Sequence, residues 1–328
     1  MPVQICDSKL RSFPRRSPVL LHVVLRFLLF TFYFSLFTVL LACATQQPPK
    51  AEPPVAMREI PPKVGLALGG GGARGFSEIG VLRVLEQEKI PVSFVAGTSV
   101  GSLVGALYAD TGKVLDAEFQ AVAMQEEDIF DYQAMALLSG GLVKGERLEK
   151  FLDTRLQHKT IETMKVPYAA VAVDLLAGKA VAFERGSIAR AVHASAAVPG
   201  VFVPVEFGGK IYVDGGVTDP VPVDVARRMG ADVVIAVSIP EGAPKDRPAN
   251  PVEVALHAIT IMSSELGALM AKDADVVISP DVAGVAYDDF SQKKRLIEAG
   301  ETAARQALPA IRAAIAQKTR RVPVGTPQ

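Results

Sequence analysis

The chain has 328 residues, enough for one large domain or two modest ones. It is 49% hydrophobic and 21% charged with a formal net charge of zero, so the composition is globular and gives no electrostatic reason to expect a nucleic-acid partner. Both cysteines, Cys6 and Cys43, precede the predicted folded part, which excludes a disulfide framework and a thiolate metal site within it.

Residues 1–42 have the pattern of an export signal. Basic residues precede a charge-free apolar run over residues 27–39, which is short beside the ~20 residues that span a bilayer. The run is followed by Leu-Leu-Ala-Cys at 40–43, which resembles the lipobox of bacterial lipoproteins. We expect residues 1–42 to be a signal peptide and Cys43 to be lipidated, so that the protein is anchored in the bacterial envelope and faces the periplasm. An uncleaved membrane anchor is the alternative.

Residues 43–62 are rich in proline and have no apolar periodicity. Such a composition predicts an extended, solvated tether with a reach of ~3.1 Å per residue. We therefore expect the folded domain to begin near Lys63, held close to the membrane but not embedded in it.

Downstream of the tether, short apolar runs alternate with segments whose apolar residues recur at helical spacing. Strands are predicted over residues 63–68, 92–97, 168–174, 180–183, 211–213, 233–237 and 275–279. Helices are predicted over residues 75–87, 100–108, 223–229 and 251–272, with a mostly helical segment over 114–157 that is broken at 139–141. This alternation predicts one α/β domain over residues 63–280, with a mostly parallel sheet covered on both faces.

Residues 281–328 are expected to form a C-terminal helical extension. Residues 292–317 are amphipathic, and Lys318, Arg320 and Arg321 follow them. This helix is expected either to dock on the domain or to lie on a membrane surface. Residues 319–328 are expected to have no fixed structure.

A glycine cluster over residues 69–75 lies between the first strand and the first helix. Consecutive glycines let backbone N–H groups converge at a helix N-terminus, which favours a bound anion. Gly70, Gly72 and Gly75 also satisfy the dinucleotide pattern G-x-G-x-x-G, but that reading needs an acidic residue at the end of the next strand. The next strand ends in Gly97-Thr98-Ser99 instead. The pattern therefore favours an oxyanion over a nucleotide.

The sequence Gly97-Thr98-Ser99-Val100-Gly101 follows the second strand and opens a helix. G-x-S-x-G at such a junction is the arrangement of a nucleophile elbow, in which a strained turn presents the serine hydroxyl above the sheet. An ordinary helix-capping serine is the alternative.

Asp214-Gly215-Gly216, after the strand over 211–213, supplies a candidate base for Ser99. A serine hydroxyl needs a group that accepts its proton. His193 and His257 have the surroundings of packed helical histidines, and only His257 has the chain order of a Ser–Asp–His triad. Direct proton transfer to Asp214 is the simpler hypothesis. A turn-forming aspartate is the alternative.

Together the glycine loop, the serine elbow and Asp-Gly-Gly resemble the patatin-like phospholipase family. The resemblance spans residues 63–279 and includes Ala194-Ser195-Ala196-Ala197-Val198-Pro199-Gly200-Val201-Phe202. It implies a three-layer α/β/α fold, Ser99 as nucleophile, Asp214 as base and the amides of Gly70, Gly71 and Gly72 as oxyanion hole. It implies neither a metal nor a cofactor. Arg74 matches the basic residue of the family's loop, with either loop support or substrate contact as its role.

The hypothesis is a serine acyl-ester hydrolase of the phospholipase A or lysophospholipase type. An acyltransferase that uses the same acyl-enzyme and a working histidine is one alternative, and a non-catalytic lipid-binding lipoprotein is another. Residues 130–138, with Met135 and Leu137, are candidates for an acyl channel, although helix core is the plainer interpretation of that stretch.

Overall fold

The computed structural model describes residues 18–44, 56–132, 141–239 and 247–324. The chain divides into two compact units, Met1–Ala56 and Met57–Gln328. In the first unit, helix α1 (Pro18–Ala44) is 27 residues long. It contains His22–Val39, an 18-residue stretch of mean hydropathy 1.7 that is long and apolar enough to cross a membrane. The helix is longer than the uncharged run because it continues through His22 and Arg26; signal cleavage and lipidation at Cys43 stay predictions.

In the second unit, a central sheet forms from strands of five to seven apolar residues and shorter edge strands. Its members are β2 (Val64–Leu68), β3 (Val92–Thr98), β4 (Tyr168–Asp174), β5 (Lys179–Phe183), β6 (Val205–Phe207), β7 (Lys210–Asp214), β8 (Val233–Val237) and β9 (Val276–Ile278). The order is β6-β7-β4-β3-β2-β8-β9, with β5 also paired to β4. The run β4-β3-β2-β8-β9 is parallel, and β5, β6 and β7 pair antiparallel. The predicted mostly parallel sheet is confirmed.

Helices cover both faces of this sheet because alternate strand residues point to opposite sides. Leu66 packs in the larger core cluster, whereas its neighbour Ala67 packs in a smaller cluster of Ala and Val residues. The helices of this unit are α2 (Phe76–Gln87), α3 (Val100–Thr111), α4 (Val114–Ala123), α5 (Glu146–Arg155), α6 (Ile188–Ser195), α7 (Val223–Arg228), α8 (Pro251–Met270) and α9 (Lys293–Lys318). Helices α2, α3 and α9 contribute to the larger cluster and α7 to the smaller one, which gives the expected three-layer α/β/α arrangement. Both clusters lie wholly within residues 57–328, so this unit carries its own core.

A two-stranded sheet joins the two ends of this unit. Strand β1 (Met57–Ile60) pairs antiparallel with β10 (Arg320–Pro323). The predicted tether boundary at 62 and the expectation of no fixed structure from 319 were wrong over these residues. Each strand has only four residues, and the pairing connects positions about 260 apart, so no local pattern announces it.

The amphipathic C-terminal helix docks on the domain. Leu296, Ile297 and Ile311 of α9 are buried, and a Cβ added to Gly80 of α2 would lie 1.9 Å from the Ile297 carbonyl oxygen. Docking of this helix on the domain is therefore confirmed.

The segment over 114–157 is less helical than predicted. Helices α4 and α5 occupy its ends, and among the described residues between them the only helical element is the 3₁₀ turn Glu126–Asp128. Met135, Leu137 and the break at Ser139-Gly140 lie outside the described residues, whereas Phe130 is inside them.

Candidate active site

Ser99 occupies a strained turn between β3 and α3. Its backbone has φ 55° and ψ −126°, a conformation that is costly for a residue with a side chain. The Ser99 carbonyl accepts hydrogen bonds from the Ser102 N–H at 2.9 Å and the Ser102 hydroxyl at 2.6 Å. The Ser99 side chain makes no capping hydrogen bond to α3. The capping alternative is therefore wrong, and the turn has the form of a nucleophile elbow.

Close backbone contacts explain the two glycines of this motif. A Cβ on Gly97 would lie 2.2 Å from the Gly101 carbonyl oxygen. A Cβ on Gly101 would lie 2.3 Å from the Leu68 carbonyl oxygen. Neither position has room for a side chain, because the start of α3 crosses directly over the ends of β2 and β3.

Ser195, the last residue of α6, holds the backbone of the elbow through a hydrogen bond. The Ser99 N–H donates to the Ser195 hydroxyl oxygen at 2.9 Å, and that hydroxyl donates to the Val171 carbonyl at 2.5 Å. Ser195 is fully buried at the end of α6. The sequence placed it in the segment that resembles the family but assigned it no role. Its structural role is to satisfy the buried amide of the strained residue.

Asp214 ends β7 beside the elbow. The sheet register sets Asp214 against Ala172 of β4, and Thr98 against Val171 of the same strand. Ser99 and Asp214 therefore lie on either side of β4. Two strand spacings across the sheet separate their backbones by roughly 10 Å. Both are 5% exposed and line one cleft. The structure thus brings the predicted nucleophile and the predicted base together.

Asp214 also organises its own turn. Its carboxylate Oδ1 accepts from the Gly216 N–H at 2.6 Å, and its own N–H donates to the Ala197 carbonyl at 2.9 Å. A Cβ on Gly215 would lie 2.3 Å from the Val171 carbonyl oxygen. The turn-forming role weighed from the sequence is therefore real, and it fixes the carboxylate at the cleft where Ser99 lies.

The glycine loop adjoins Ser99, but its first amide is engaged elsewhere. A Cβ on Gly70 would lie 3.4 Å from the Ser99 Cβ, whereas the Gly70 N–H donates to the Pro220 carbonyl at 3.1 Å. The prediction that the Gly70 amide is a free oxyanion donor is corrected by this bond. Gly71 and Gly72 begin a 3₁₀ helix, where N–H groups have no partner within the helix. Within the described ranges neither of these two N–H groups donates to another residue outside the helix.

Arg74 supports the glycine loop through a hydrogen bond to its backbone. It is buried, its Nε donates to the Gly71 carbonyl at 3.2 Å, and its guanidinium lies 6.0 Å from the centre of the Tyr287 ring. These contacts favour loop support over substrate contact. Gly75 lets the following helix approach the elbow, since a Cβ there would lie 2.4 Å from Val100.

Two recesses meet at Ser99, and we name them by their linings. The dyad cleft is lined by Gly70, Gly71, Ser99, Val198, Pro199, Asp214, Gly216, Val217, Ile259, Thr260, Ser263 and Tyr287. The apolar pocket is lined by Gly72, Ala73, Phe76, Ser99, Val100, Leu103, Val104, Leu107, Ala121, Met124, Ile129, Phe130, Leu148, Ala196, Phe202, Tyr287 and Phe290. Ser99 is thus the polar group at the junction of an apolar recess and a cleft that holds a carboxylate.

Two histidines are held by carboxylates outside these recesses. His158 Nδ1 lies 2.8 Å from an Asp110 oxygen, and His193 Nδ1 lies 2.7 Å from a Glu149 oxygen. The hydrogen bond from His193 lowers the pKa of Glu149. In the part of the chain that the structure describes, no histidine lines either recess, and no three His, Cys, Asp or Glu side chains group as a metal site. The arrangement therefore favours direct proton transfer between Ser99 and Asp214.

Two buried acids near the site were missed by the sequence analysis. Glu78, in the first turn of α2, is fully buried, and burial raises its pKa well above the usual range while the Gly69 backbone N–H lowers it in part. Asp219 follows the dyad turn, and its main-chain carbonyl accepts from the Thr98 hydroxyl at 2.7 Å. Burial, aided by Asp224 and opposed by Arg228, raises the pKa of Asp219 to about 6. Acids at helix starts and in turns are common, so their sequence positions gave no sign of burial.

Comparison with known proteins adds a family match that covers the glycine loop, Ser99 and Asp214. The model of the family described as patatin-like phospholipase matches residues 66–227. An uncharacterised NTE family protein of Mycobacterium tuberculosis is 37% identical over 178 residues, which are 54% of this chain and 49% of that protein. The human patatin-like phospholipase domain-containing protein 6 is 35% identical over 186 residues, covering 54% of this chain and 13% of that protein. The chain therefore spans about half, or much less, of the length of these relatives.

Among solved structures, VipD from Legionella pneumophila is similar with a TM-score of 0.46 and 16% sequence identity. That likeness covers 84% of this chain and 70% of VipD. At this level it supports no conclusion about function.

Proposed function

We propose that the chain, whose residues 66–227 match the patatin-like phospholipase family, is a serine hydrolase of lipid acyl esters. Ser99 is the nucleophile and Asp214 is the base. One observation carries the proposal: a serine at φ 55° and a buried carboxylate line the same cleft, at the ends of the two strands that flank β4. A strained, uncapped serine beside a carboxylate is a costly arrangement that a scaffold or lipid-binding module does not need.

The reaction proceeds through an acyl-enzyme. Asp214 takes the hydroxyl proton as the Ser99 oxygen attacks the ester carbonyl, and the N–H groups of Gly71 and Gly72 bind the resulting oxyanion. The tetrahedral intermediate collapses, the C–O bond to the alcohol breaks, and protonated Asp214 returns its proton to the leaving oxygen. Water then attacks the acyl-serine, with Asp214 again accepting and returning the proton, and a fatty acid is released.

The lining of the apolar pocket supports a long acyl chain as the substrate's reacting group. Phe76, Leu103, Phe130 and Phe202 bring apolar surface up to the hydroxyl of Ser99, and each buried methylene contributes about 0.8 kcal/mol. Phe130, for which helix core was the plainer interpretation, is in the buried core but not in a helix, and it also lines this pocket. We assign phospholipids and lysophospholipids as the substrate class, hydrolysed in the manner of a phospholipase A or lysophospholipase.

The acyltransferase alternative gains no support. It needs a histidine that acts on Ser99, and His193 instead bonds to Glu149 while its ring lies against Gly145. A catalytic carboxylate that serves both half-reactions suits water as the acyl acceptor.

Membrane attachment through the N-terminal unit is part of the proposal. The apolar helix α1 and the lipobox-like sequence ending at Cys43 both support an anchored protein of the bacterial envelope that faces the periplasm. Metabolic labelling with a radioactive fatty acid tests the lipid anchor: incorporation that is lost in Cys43→Ser supports it. The other outcome is that the unsubstituted chain incorporates no fatty acid and Cys43→Ser still associates with the membrane. That result would indicate that α1 is an uncleaved anchor.

Hydrolysis by residues 57–328 tests the activity. The assay compares phosphatidylcholine, lysophosphatidylcholine and a soluble butyrate ester for the unsubstituted unit, Ser99→Ala and Asp214→Asn. We expect hydrolysis of all three classes and its loss in both variants, with a folded protein by circular dichroism. Asp219→Asn, a change at another buried carboxylate outside both recesses, is the matched control. Wild-type rates in Ser99→Ala would overturn the proposal.

A further inference from the structure

Helix α8 (Pro251–Met270) exposes large apolar side chains along one side. Its exposed large side chains are Val254, Ile261, Met262 and Leu269, each 48–62% exposed. Ala255, Ala258 and Ala268 are exposed beside them, and Glu265 is the only charged side chain among them. At 3.6 residues per turn these positions form a single stripe about 22 Å long. We call it the α8 stripe.

The opposite side of α8 faces the protein and carries polar residues together with half-buried apolar ones, among them Leu256 and Leu266. Thr260 and Ser263 line the dyad cleft together with Ile259, and a Cβ on Gly216 would lie 3.3 Å from the Ser263 hydroxyl. Gly267 is buried, and a Cβ there would lie 3.5 Å from Pro220. The outer side of a helix at a protein surface in water is normally polar. In α8 the outer side is apolar as well as the inner one.

Composition alone leaves two membrane geometries open for this helix. Residues Glu253–Asp273 are long and apolar enough to cross a bilayer, with a mean hydropathy of 1.5, and only 11% of that stretch is buried. Crossing would put Thr260, Ser263 and the rest of the cleft-lining side into hydrocarbon and would remove it from Asp214. Lying flat leaves the cleft-lining side on the protein and buries only the α8 stripe.

The geometry points to the α8 stripe as the surface on which the catalytic unit docks on a lipid bilayer. Docking in this way brings the dyad cleft close to the membrane. One side of α8 lines the cleft, and the other side of the same helix contacts the lipid. Val217, three residues after Asp214, lines the same cleft and is 40% exposed, so exposed apolar surface also continues at the cleft itself. The choice of a lipid surface as the occupant rests on the proposed lipid-ester hydrolase function.

The charge of the stripe specifies the kind of lipid surface. The stripe has one acidic side chain and no lysine or arginine, so anionic head groups offer it no attraction. Docking is therefore driven by apolar burial, which salt does not weaken. We expect binding to neutral phosphatidylcholine bilayers that is insensitive to high salt.

Binding and hydrolysis are measured separately so that the two proposals fail in different ways. Residues 57–328 carrying Ser99→Ala are mixed with vesicles of ether-linked phosphatidylcholine, which has no ester to cleave, and the bound fraction is measured by flotation. Met262→Glu is expected to lower the partition coefficient by about tenfold, from the loss of one apolar side chain and the gain of a charge. Glu265→Leu is expected to raise it. Leu115→Glu on α4, at a residue 73% exposed, is the matched control and is expected to change it less than twofold.

The same substitutions in the active unit complete the test. Met262→Glu is expected to lower the rate on phosphatidylcholine vesicles by about tenfold while the rate on a soluble butyrate ester stays the same. Equal binding by Met262→Glu, Leu115→Glu and the parent would overturn the docking inference and leave the hydrolase proposal intact. Binding that requires anionic lipid, or a stripe that instead forms a dimer by analytical ultracentrifugation, would also overturn it. Vesicle binding without hydrolysis of any ester would overturn the function and not the docking.

Discussion

The dyad cleft takes its chemistry from sharp turns at strand ends, whereas the apolar pocket is assembled from side chains of several helices and loops. In the cleft, Ser99, Asp214 and the glycine loop each sit where a strand has just ended. In the pocket, Phe76 is on α2, Leu103 on α3, and Phe202 and Phe290 follow later in the chain. The backbone fixes the cleft, and packed side chains shape the pocket.

This difference separates two properties of the proposed enzyme. Changes in the cleft act on bond breaking and lower the rates for all esters together. Changes in the pocket act on the acyl chain and alter the ratio between long and short esters. Substitutions in the cleft are expected to have the largest effects on rate, and substitutions in the pocket or outside both recesses smaller ones.

Asp214→Asn is expected to lower kcat/KM by about 10²–10⁴ on butyrate and palmitate esters alike, because it removes the general base. The amide keeps the size of the side chain and can still accept from the Gly216 N–H. Steady-state kinetics with both esters measure the effect. A loss confined to the long ester would place Asp214 in chain binding instead of catalysis.

Gly72→Ala is expected to lower kcat by about 10²–10³ through loss of an oxyanion donor. Gly72 has φ 59°, and an added Cβ would lie 2.4 Å from the Tyr287 carbonyl oxygen, so the loop must move. Gly178→Ala is the matched control, with φ 64° and nothing within 4 Å of the added carbon. Similar kinetic losses in both variants would show that backbone strain, not the oxyanion hole, explains the result.

Ala121→Leu is expected to change chain-length preference. Ala121 lines the apolar pocket from α4 and is buried, so three added carbons take space from the end of an acyl chain. The ratio of kcat/KM for palmitate over butyrate ester is expected to fall by about 10–100-fold, from roughly 0.8 kcal/mol for each displaced methylene. An unchanged ratio would contradict the assignment of this pocket to the acyl chain.

Ser195→Ala is expected to lower kcat by about tenfold for both esters and to cost about 1–3 kcal/mol of unfolding free energy, since the buried Ser99 N–H loses its acceptor. Ser102→Ala removes only one of the donors to the Ser99 carbonyl, since the Ser102 N–H remains. Its kinetic effect is therefore expected to be smaller. A larger loss in Ser102→Ala would contradict the positioning role of Ser195.

Asp219→Asn is expected to affect stability without a large effect on catalysis. The pKa of Asp219 is about 6 when folded, above its usual 3.8. Below pH 4 the side chain is neutral in both the folded and the unfolded state, so its burial costs no charge. As the pH rises from about 4 through 6 the unfolded state ionises first, and the folded state loses stability. Removing this charge is expected to stabilise the protein by about 1–3 kcal/mol at pH 8. Chemical denaturation of both proteins at pH 4 and pH 8 measures it, and an equal difference at the two values would contradict the cause.

The dyad and the glycine loop were predictable from sequence, because each is a local pattern of glycine around a polar residue at a strand end. The α8 residues that line the same cleft were not. Ser99 and Asp214 were placed in this way, and the register of β3, β4 and β7 brings them together. The error at Gly70 arose because its N–H partner, Pro220, lies 150 residues away.

The pocket, the terminal strands and α8 show where local patterns fail. The pocket is a long-range assembly, and Phe130 has the same sequence signature whether it packs in a core or lines a recess. Strands β1 and β10 are too short for an alternating pattern to be recognised. The apolar spacing correctly indicated that α8 and α9 are helices, but it did not reveal that α8 also exposes large apolar side chains.

The central claim is that Ser99 is an activated nucleophile whose proton goes to Asp214. Labelling of residues 57–328 with a fluorophosphonate, followed by peptide mass spectrometry, tests it most directly. The account predicts one phosphonylated serine, Ser99, with no adduct in Ser99→Ala and labelling slowed at least 10²-fold in Asp214→Asn. An adduct on Ser102 or Ser195, labelling that persists in Ser99→Ala, or an unchanged rate in Asp214→Asn would contradict it.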